Sequence, residues 1–251
     1  MEPAMMDKGI WATWYDLEPA SKDEYLAWLH QDYLPALREM PGYLWVAHYA
    51  NQGGGGAIQH LREKVLARPQ EDVGYGSQYL VLVGAATPHV FLDPTVPDPA
   101  LGGNERFARM LSLRRGVRPA LFLEEIRVQG LVERDARHGL TAAPAIQMGS
   151  LRMHSVDEEI DIGRWYRQLR LPEMAQTPGC VATRKYISIA GWAKHAILYE
   201  FATLEDRMRH FEDAQEAKAM DPSHWTWRIA RTTIHAPGSP MVGARTWPPV
   251  S

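Results

Sequence analysis

Trp28-Leu29-His30-Gln31-Asp32-Tyr33-Leu34-Pro35 returns, at an offset of 137 positions, as Trp165-Tyr166-Arg167-Gln168-Leu169-Arg170-Leu171-Pro172. Six residues after each closing proline comes a Pro-Gly pair, Pro41-Gly42 and Pro178-Gly179. Seven residues beyond each glycine stands a tyrosine, Tyr49 and Tyr186. The register holds without a gap, with Trp28, Gln31, Leu34, Pro35, Pro41, Gly42 and Tyr49 all repeated. Chance does not place a tryptophan, two prolines and a glycine in register twice, so the chain reads as a tandem duplication. Its fold and function concern what two similar halves build together.

Composition narrows the classes. A chain of 251 residues accommodates one large domain or two of roughly 125, and the repeat favours two half-units. A hydrophobic content of 45% and a charged content of 23% are ordinary for a globular protein. A net charge of −3 without a basic block gives no footing for nucleic acid or an anionic membrane surface. No apolar run approaches the ~18 residues of a spanning helix. Met1 to Lys8 lacks the pattern of a signal peptide. Cys180 is the only cysteine, so neither an intrachain disulfide nor a thiolate metal cage is expected, and a cytoplasmic location follows by default. Nine Trp and ten Tyr against five Phe favour side chains with an apolar body and a polar handle.

Working outward from the repeat, each half reads strand, helix, strand, strand, helix, strand. In the first half the strands are Gly9 to Leu17, Tyr43 to Tyr49, Gln78 to Val83 and Pro119 to Val128. A capping box of Ser21 and Glu24 opens a helix that Pro41-Gly42 stops, and Asn104 to Leu111 supplies the second helix. In the second half, strands are predicted at Ile146 to His154, Cys180 to Ile187, His195 to Phe201 and Trp225 to Ile234. Helices are predicted at Ile160 to Ala175 and Leu204 to Ala219. The halves span 7–132 and 145–236, joined by Glu133 to Pro144 and followed by an extended tail, 237–251, with no periodicity. The first half alone carries an insert, 51–77, which opens with Gly53 to Gly56 and continues as a helical pattern over Ala57 to Ala67. The insert reads as a lid over a pocket or as a tolerated surface loop. A β-α-β-β-α-β order gives an antiparallel sheet with both helices on one face. Its other face stays apolar, and two such sheets packed face to face cover one another.

These residues resemble the dimeric α/β-barrel superfamily, and within it the EthD-like branch. That branch carries a helix ending in W-Y-x-x-E-H-L-P, then Pro-Gly and a strand ending in Arg-x-Tyr or Arg-Tyr. Trp165-Tyr166, Leu171-Pro172, Pro178-Gly179 and Arg184-Lys185-Tyr186 match, followed by Leu198-Tyr199-Glu200-Phe201. The first half keeps Trp28, Asp32 at the acidic position, Leu34-Pro35, Pro41-Gly42 and Tyr49. The resemblance implies an α+β fold of two ferredoxin-like repeats whose antiparallel sheets pack face to face as an intrachain dimeric α/β barrel. It implies activities ranging over cofactor-independent oxygenases, isomerases, lyases and haem-binding enzymes. The motif histidine is absent, replaced by Tyr33 in one half and Arg170 in the other, so no catalytic role transfers directly.

Candidate chemistry therefore comes from the residues. Helical spacing puts His30 and Tyr33 on one stripe facing the sheet, where the second half has Arg167 and Arg170. His30 is the expected base, with Tyr33 and His48 orienting substrate or stabilising charge. Trp14, Trp28 and Trp45 are expected as walls of a pocket. Arg167 and Arg170 would hold a carboxylate or phenolate, unless they lie on a solvated face. Glu124 is a candidate buried carboxylate. Histidine spacing offers no metal site, and Gly53 to Gly56 lacks the context of a phosphate loop. The reading is an enzyme without an organic cofactor, working by acid/base chemistry of lyase or isomerase type on a small hydrophobic, aromatic compound. Its rivals are a cofactor-free oxygenase, a non-catalytic binding protein and, more weakly, a haem protein using His48 or His195. A small molecule is the expected partner, with neither nucleic acid nor membrane, and a homodimer of the pseudo-dimer is left open.

Overall fold

The computed structural model describes residues 6–100, 104–133 and 142–250. Strands β1 (Gly9–Leu17), β2 (Tyr43–Asn51), β3 (Tyr79–Ala85) and β4 (Arg114–Gln129) come from the first half. Strands β5 (Ala145–Met153), β6 (Cys180–Ala190), β7 (His195–Phe201), β8 (Thr233–His235) and β9 (Met241–Trp247) come from the second half and the tail. All pair antiparallel, in the order β7-β6-β4-β1-β3-β2-β9-β5-β8. Because β5 also pairs with β7, eight strands close into a barrel and β8 remains beside β5. The first half contributes the order β4-β1-β3-β2 and the second β8-β5-β7-β6, the same path through each half.

Helix α1 runs through Lys22–Trp28, a π-helical turn Leu29–Tyr33, and Leu34–Arg38. The insert forms α2 (Gly56–Lys64), and Glu105–Leu111 is α3, with Asn104 accepting from the Phe107 N–H as its cap. Helix α4 repeats α1 at the same offset: Val156–Trp165, a π turn Tyr166–Arg170, and Leu171–Ala175. Helix α5 comprises Leu204–Arg207, Met208–Glu212 and Asp213–Met220, and α6 is Trp225–Thr232. The duplicated Pro-Gly has a geometric cause. Gly42 and Gly179 sit at φ 81° and 76°, the left-handed conformation that ends a helix and that a side chain resists.

Strand alternation sorts the core into three layers. Ile10, Ala12 and Trp14 of β1 join Trp45, Ala47 and Tyr49 of β2 and Tyr186 of β6 inside the barrel. Tyr15, Val46 and Val81 face outward beneath α1 and α3. Leu151, Ile197 and Tyr199 face outward beneath α4, α5 and α6.

Three expectations are corrected. Trp225 to Thr232 is helix rather than strand, because Ile229 packs on the outer face of the sheet and His224 caps the turn by accepting from the Thr226 N–H. The stretch 241–247 is not a surface tail. It is β9, whose Met241 and Val242 are buried and which bridges β2 and β5. Ser21 makes no capping box, since a 3-10 turn at Pro19–Ser21 directs its hydroxyl to the Glu18 carbonyl (3.2 Å). Ser155 does cap α4, accepting from the Glu158 N–H (3.3 Å). His138 and 134–141 of the linking segment lie outside the described residues.

Candidate functional site

The sequence-predicted residues distribute over three places. His30, half-buried on the π turn of α1, brings Nε2 to 3.0 Å from Nδ1 of His48 on β2. His48 is fully buried, with Nδ1 also 2.6 Å from the Thr246 hydroxyl of β9 and Nε2 2.8 Å from the Tyr15 hydroxyl. Burial pushes both imidazoles below their ordinary value, His48 well below with His30 and Arg114 adding, so His48 is neutral at pH 7. The result is a hydrogen-bonded chain from a half-exposed ring into the outer core of the first half.

Tyr33 does not join that chain. Its hydroxyl donates to the Pro99 carbonyl, burial raises its pKa, and Trp28 stacks against it at 5.1 Å. Trp14 and Trp45 point instead into the barrel, Trp14 beneath the Arg118 guanidinium (4.8 Å) and Trp45 donating to Asp7 (2.6 Å). Trp14, Trp28 and Trp45 therefore do not wall a common chamber, because Trp14 and Trp45 face the barrel interior while Trp28 lies on α1, on the outer face of the sheet. Glu124 is buried but occupied, accepting from Arg127 and from Arg184 (2.6 Å) in an ion cluster completed by Asp7. Arg167 is exposed and Arg170 is buried.

Arg170 lines a cavity of about 120 Å³ between the outward face of the second-half sheet and its helices. The floor is Gln147, Gly149 and Leu151 of β5, Ile197 and Tyr199 of β7, and His235 of β8. Helix α4 supplies Ile162, Trp165, Tyr166 and Arg170, and α5 supplies Arg207, Phe211 and Glu212. The insert closes the site: Ile58 and Leu61 of α2, and Leu66 after it, cross over from the first half. Glu212 fixes it there by accepting from the Gly55 N–H (3.2 Å) and the Ile58 N–H (3.1 Å). Ala67 accepts from the His235 N–H (2.9 Å).

The polar groups of the cavity differ in how they are satisfied. Arg207 is held by Gln147 (Nε to Oε1, 3.0 Å) and by Glu212. Burial alone would raise the Glu212 carboxyl, but Arg207 and the two backbone N–H groups hold it below its ordinary value. Tyr166 and Tyr199 both line the cavity and act on one another electrostatically. Burial raises both phenols, so both are protonated near neutrality. Burial, with Arg68 and Arg62 nearby, lowers His235 to about 3, leaving a neutral imidazole. Arg170 is 4% exposed, and its Nε and Nη1 have no hydrogen-bond partner. Tyr166, Tyr199, Gln147, Arg207, Glu212 and His235 were missed as site residues in the sequence. Only Tyr166 and Tyr199 carried a signal there, as members of the repeated motifs.

Among the described residues no group of three or more His, Cys, Asp or Glu is placed to hold a metal ion. Haem does not fit the cavity. Its volume, about 120 Å³, is on the order of the ~150 Å³ of a cavity that takes one benzene ring and leaves no room for a four-ring macrocycle. His48 has both ring nitrogens engaged, and His195 does not line the cavity. No helix among the described residues is long and apolar enough to cross a membrane.

No family model matches the chain, and no curated protein matches it in sequence. Solved structures share its fold. An anthrone oxidase-like protein superposes with a TM-score of 0.56 at 7% identity, covering 97% of this chain and 94% of that one. A protein of Fusobacterium nucleatum provisionally described as a monooxygenase gives 0.54 at 7% identity, covering 95% and 92%. One provisionally described as a chlorite dismutase gives 0.50 at 11% identity, covering 96% of each chain. The likeness is one of fold, a closed antiparallel α+β barrel.

Proposed function

We propose that this chain is a small-molecule enzyme of lyase or isomerase type, working by proton transfer without an organic cofactor, with its site in the second-half cavity. The observation that supports this most is the apolar cavity lined by two protonated tyrosines, Tyr166 and Tyr199. Such a pair donates to an oxygen on which negative charge develops as a neighbouring C–H or C–C bond is broken. Donors fixed in a water-poor site favour that charge without reorganising. His235 is a neutral imidazole in the same lining, a polar group that stays uncharged there. The insert 51–77 then acts as a lid, held shut by Glu212.

The scaffold behind this reading is two ferredoxin-like repeats, 7–132 and 145–236, of the EthD-like branch. It is supported by the matched strand paths and by π turns at the same register, Leu29–Tyr33 and Tyr166–Arg170. Turnover of a panel of ring-sized carbonyl and phenolic compounds tests the assignment, with oxygen uptake recorded. Tyr166→Phe and Tyr199→Phe should each lower kcat about 10²-fold or more, the scale of losing one oxyanion donor, with little change in KM. Unchanged kcat in both variants would sink it. A second reading, a cofactor-free oxygenase centred on His30 and His48, is favoured by the His30–His48–Tyr15 chain. It requires stoichiometric oxygen uptake that His30→Ala and His48→Ala abolish.

A further inference from the structure

The other buried arginines each have at least one acceptor. Arg184 binds Glu124 and Asp7, Arg207 binds Gln147 and Glu212, and Arg114 donates through Nε to the Tyr25 hydroxyl (2.6 Å). Arg170 has none for Nε or Nη1. Its guanidinium instead lies 4.5 Å over the Trp165 ring and 5.6 Å from that of Phe211, an apolar setting for a group that cannot shed its proton. Buried donors without acceptors are costly, and native proteins leave few of them. The same helix position in the first half shows the contrast. Tyr33 stands there, and the protein itself supplies its acceptor, the Pro99 carbonyl. Where Tyr33 is satisfied internally, Arg170 faces a cavity.

The charges of the lining point to the sign of what is missing. Arg170 and Arg207 are cationic, Glu212 is anionic and already matched to Arg207, and His235 is neutral. The cavity is left with one uncompensated positive charge. Its volume of about 120 Å³ suits a single ring or a short branched chain, and Ile162, Trp165, Ile197 and Phe211 offer that body apolar walls.

Resting on the placement of the site in this cavity, we propose that its ligand is a small monocarboxylate with a ring-sized apolar body, the carboxylate seated on Arg170. The carboxylate supplies the acceptors that Nε and Nη1 lack, and the body fills the space that Gly149 leaves open. A Cβ built at Gly149 would meet no atom nearer than Pro240 Cβ at 4.0 Å.

Calorimetric titration of the full chain with benzoate, cyclohexanecarboxylate and isobutyrate, each beside its neutral amide, tests this. At least one carboxylate should bind wild type at one per chain and at least tenfold tighter than its amide. Arg170→Gln should erase that preference, while its own unfolding midpoint stays level or rises because a buried unmatched charge has gone. Gly149→Leu should lose acid and amide alike. If amides bind as tightly as acids and Arg170→Gln changes nothing, the carboxylate class is wrong and the cavity still stands as the site. If no carboxylate binds, or if Arg170→Gln unfolds the chain as loss of a structural arginine would, the proposal is overturned. The tyrosine variants and their turnover then decide the enzymatic reading separately.

Discussion

Gly149→Val would fill the second-half cavity from its floor. The position is an extended residue of β5 whose neighbours on the same face, Gln147 and Leu151, also line the space. A Cβ there finds only Pro240 Cβ, at 4.0 Å, so three added carbons enter open volume rather than a packed wall. At ~0.8 kcal/mol per buried carbon the burial is worth about 2.4 kcal/mol. Strain from adding carbons to a core, ~1 kcal/mol at the low end, opposes it. Valine also suits a strand better than glycine. The variant should therefore be more stable by about 1–2 kcal/mol, a rise in Tm of about 3–6 °C for a chain of this size. It should also bind ring-sized ligands at least tenfold more weakly. Thermal melts with and without ligand measure both effects. A fall in Tm would mean that the space is already occupied by packing. Retained binding would mean that ligands enter elsewhere.

Three other outcomes follow from the same geometry. Arg184 is fully buried between Glu124 and Asp7, so Arg184→Met leaves both carboxylates to Arg127 alone and should cost about 3 kcal/mol in a urea titration. His48, His195 and His235 are buried with pKa values depressed by burial, the last two to about 4 and 3. The unfolded chain binds protons from about pH 6.5 downward and the folded chain does not, so stability is complete above pH 6.5 and declines as pH falls. His195 and His235 should each cost about 2 kcal/mol by pH 5, readable as a lowered urea midpoint that His235→Gln partly restores. Ending the chain after Pro240 removes β9, exposes the edges of β2 and β5, and deprives His48 of Thr246. Size-exclusion chromatography should then show aggregation in place of a single folded species.

The repeated stretch of sequence was legible because its residues have geometric work at fixed places. The prolines and glycines end helices, and Gly42 and Gly179 take a conformation that few other residues accept. The strand path of each half followed from that. What misled was local composition: Trp225 to Ile234 is rich in β-formers, yet tertiary packing of Ile229 makes most of it a helix. The segment 241–247, bounded by prolines, carries no local mark of a barrel strand, because its partners lie at 48–51 and 145–148. The cavity was invisible for the same reason. Its lining runs from Ile58 to Pro240, and the insert that covers it belongs to the opposite half. Only the exchange of Tyr33 for Arg170 hinted at it. The expectation placed the chemistry in the first half, beside His30. The cavity, the tyrosine pair and the unmatched guanidinium are in the second.

A crystal structure of the chain soaked with benzoate and with a neutral ring compound tests most directly where the function lies. The account predicts density between β5, β7 and α4, beneath the insert helix, with the carboxylate on Arg170. Density beside the His30–His48 pair, or inside the barrel next to Trp14 and Trp45, with the second-half cavity empty, would contradict it.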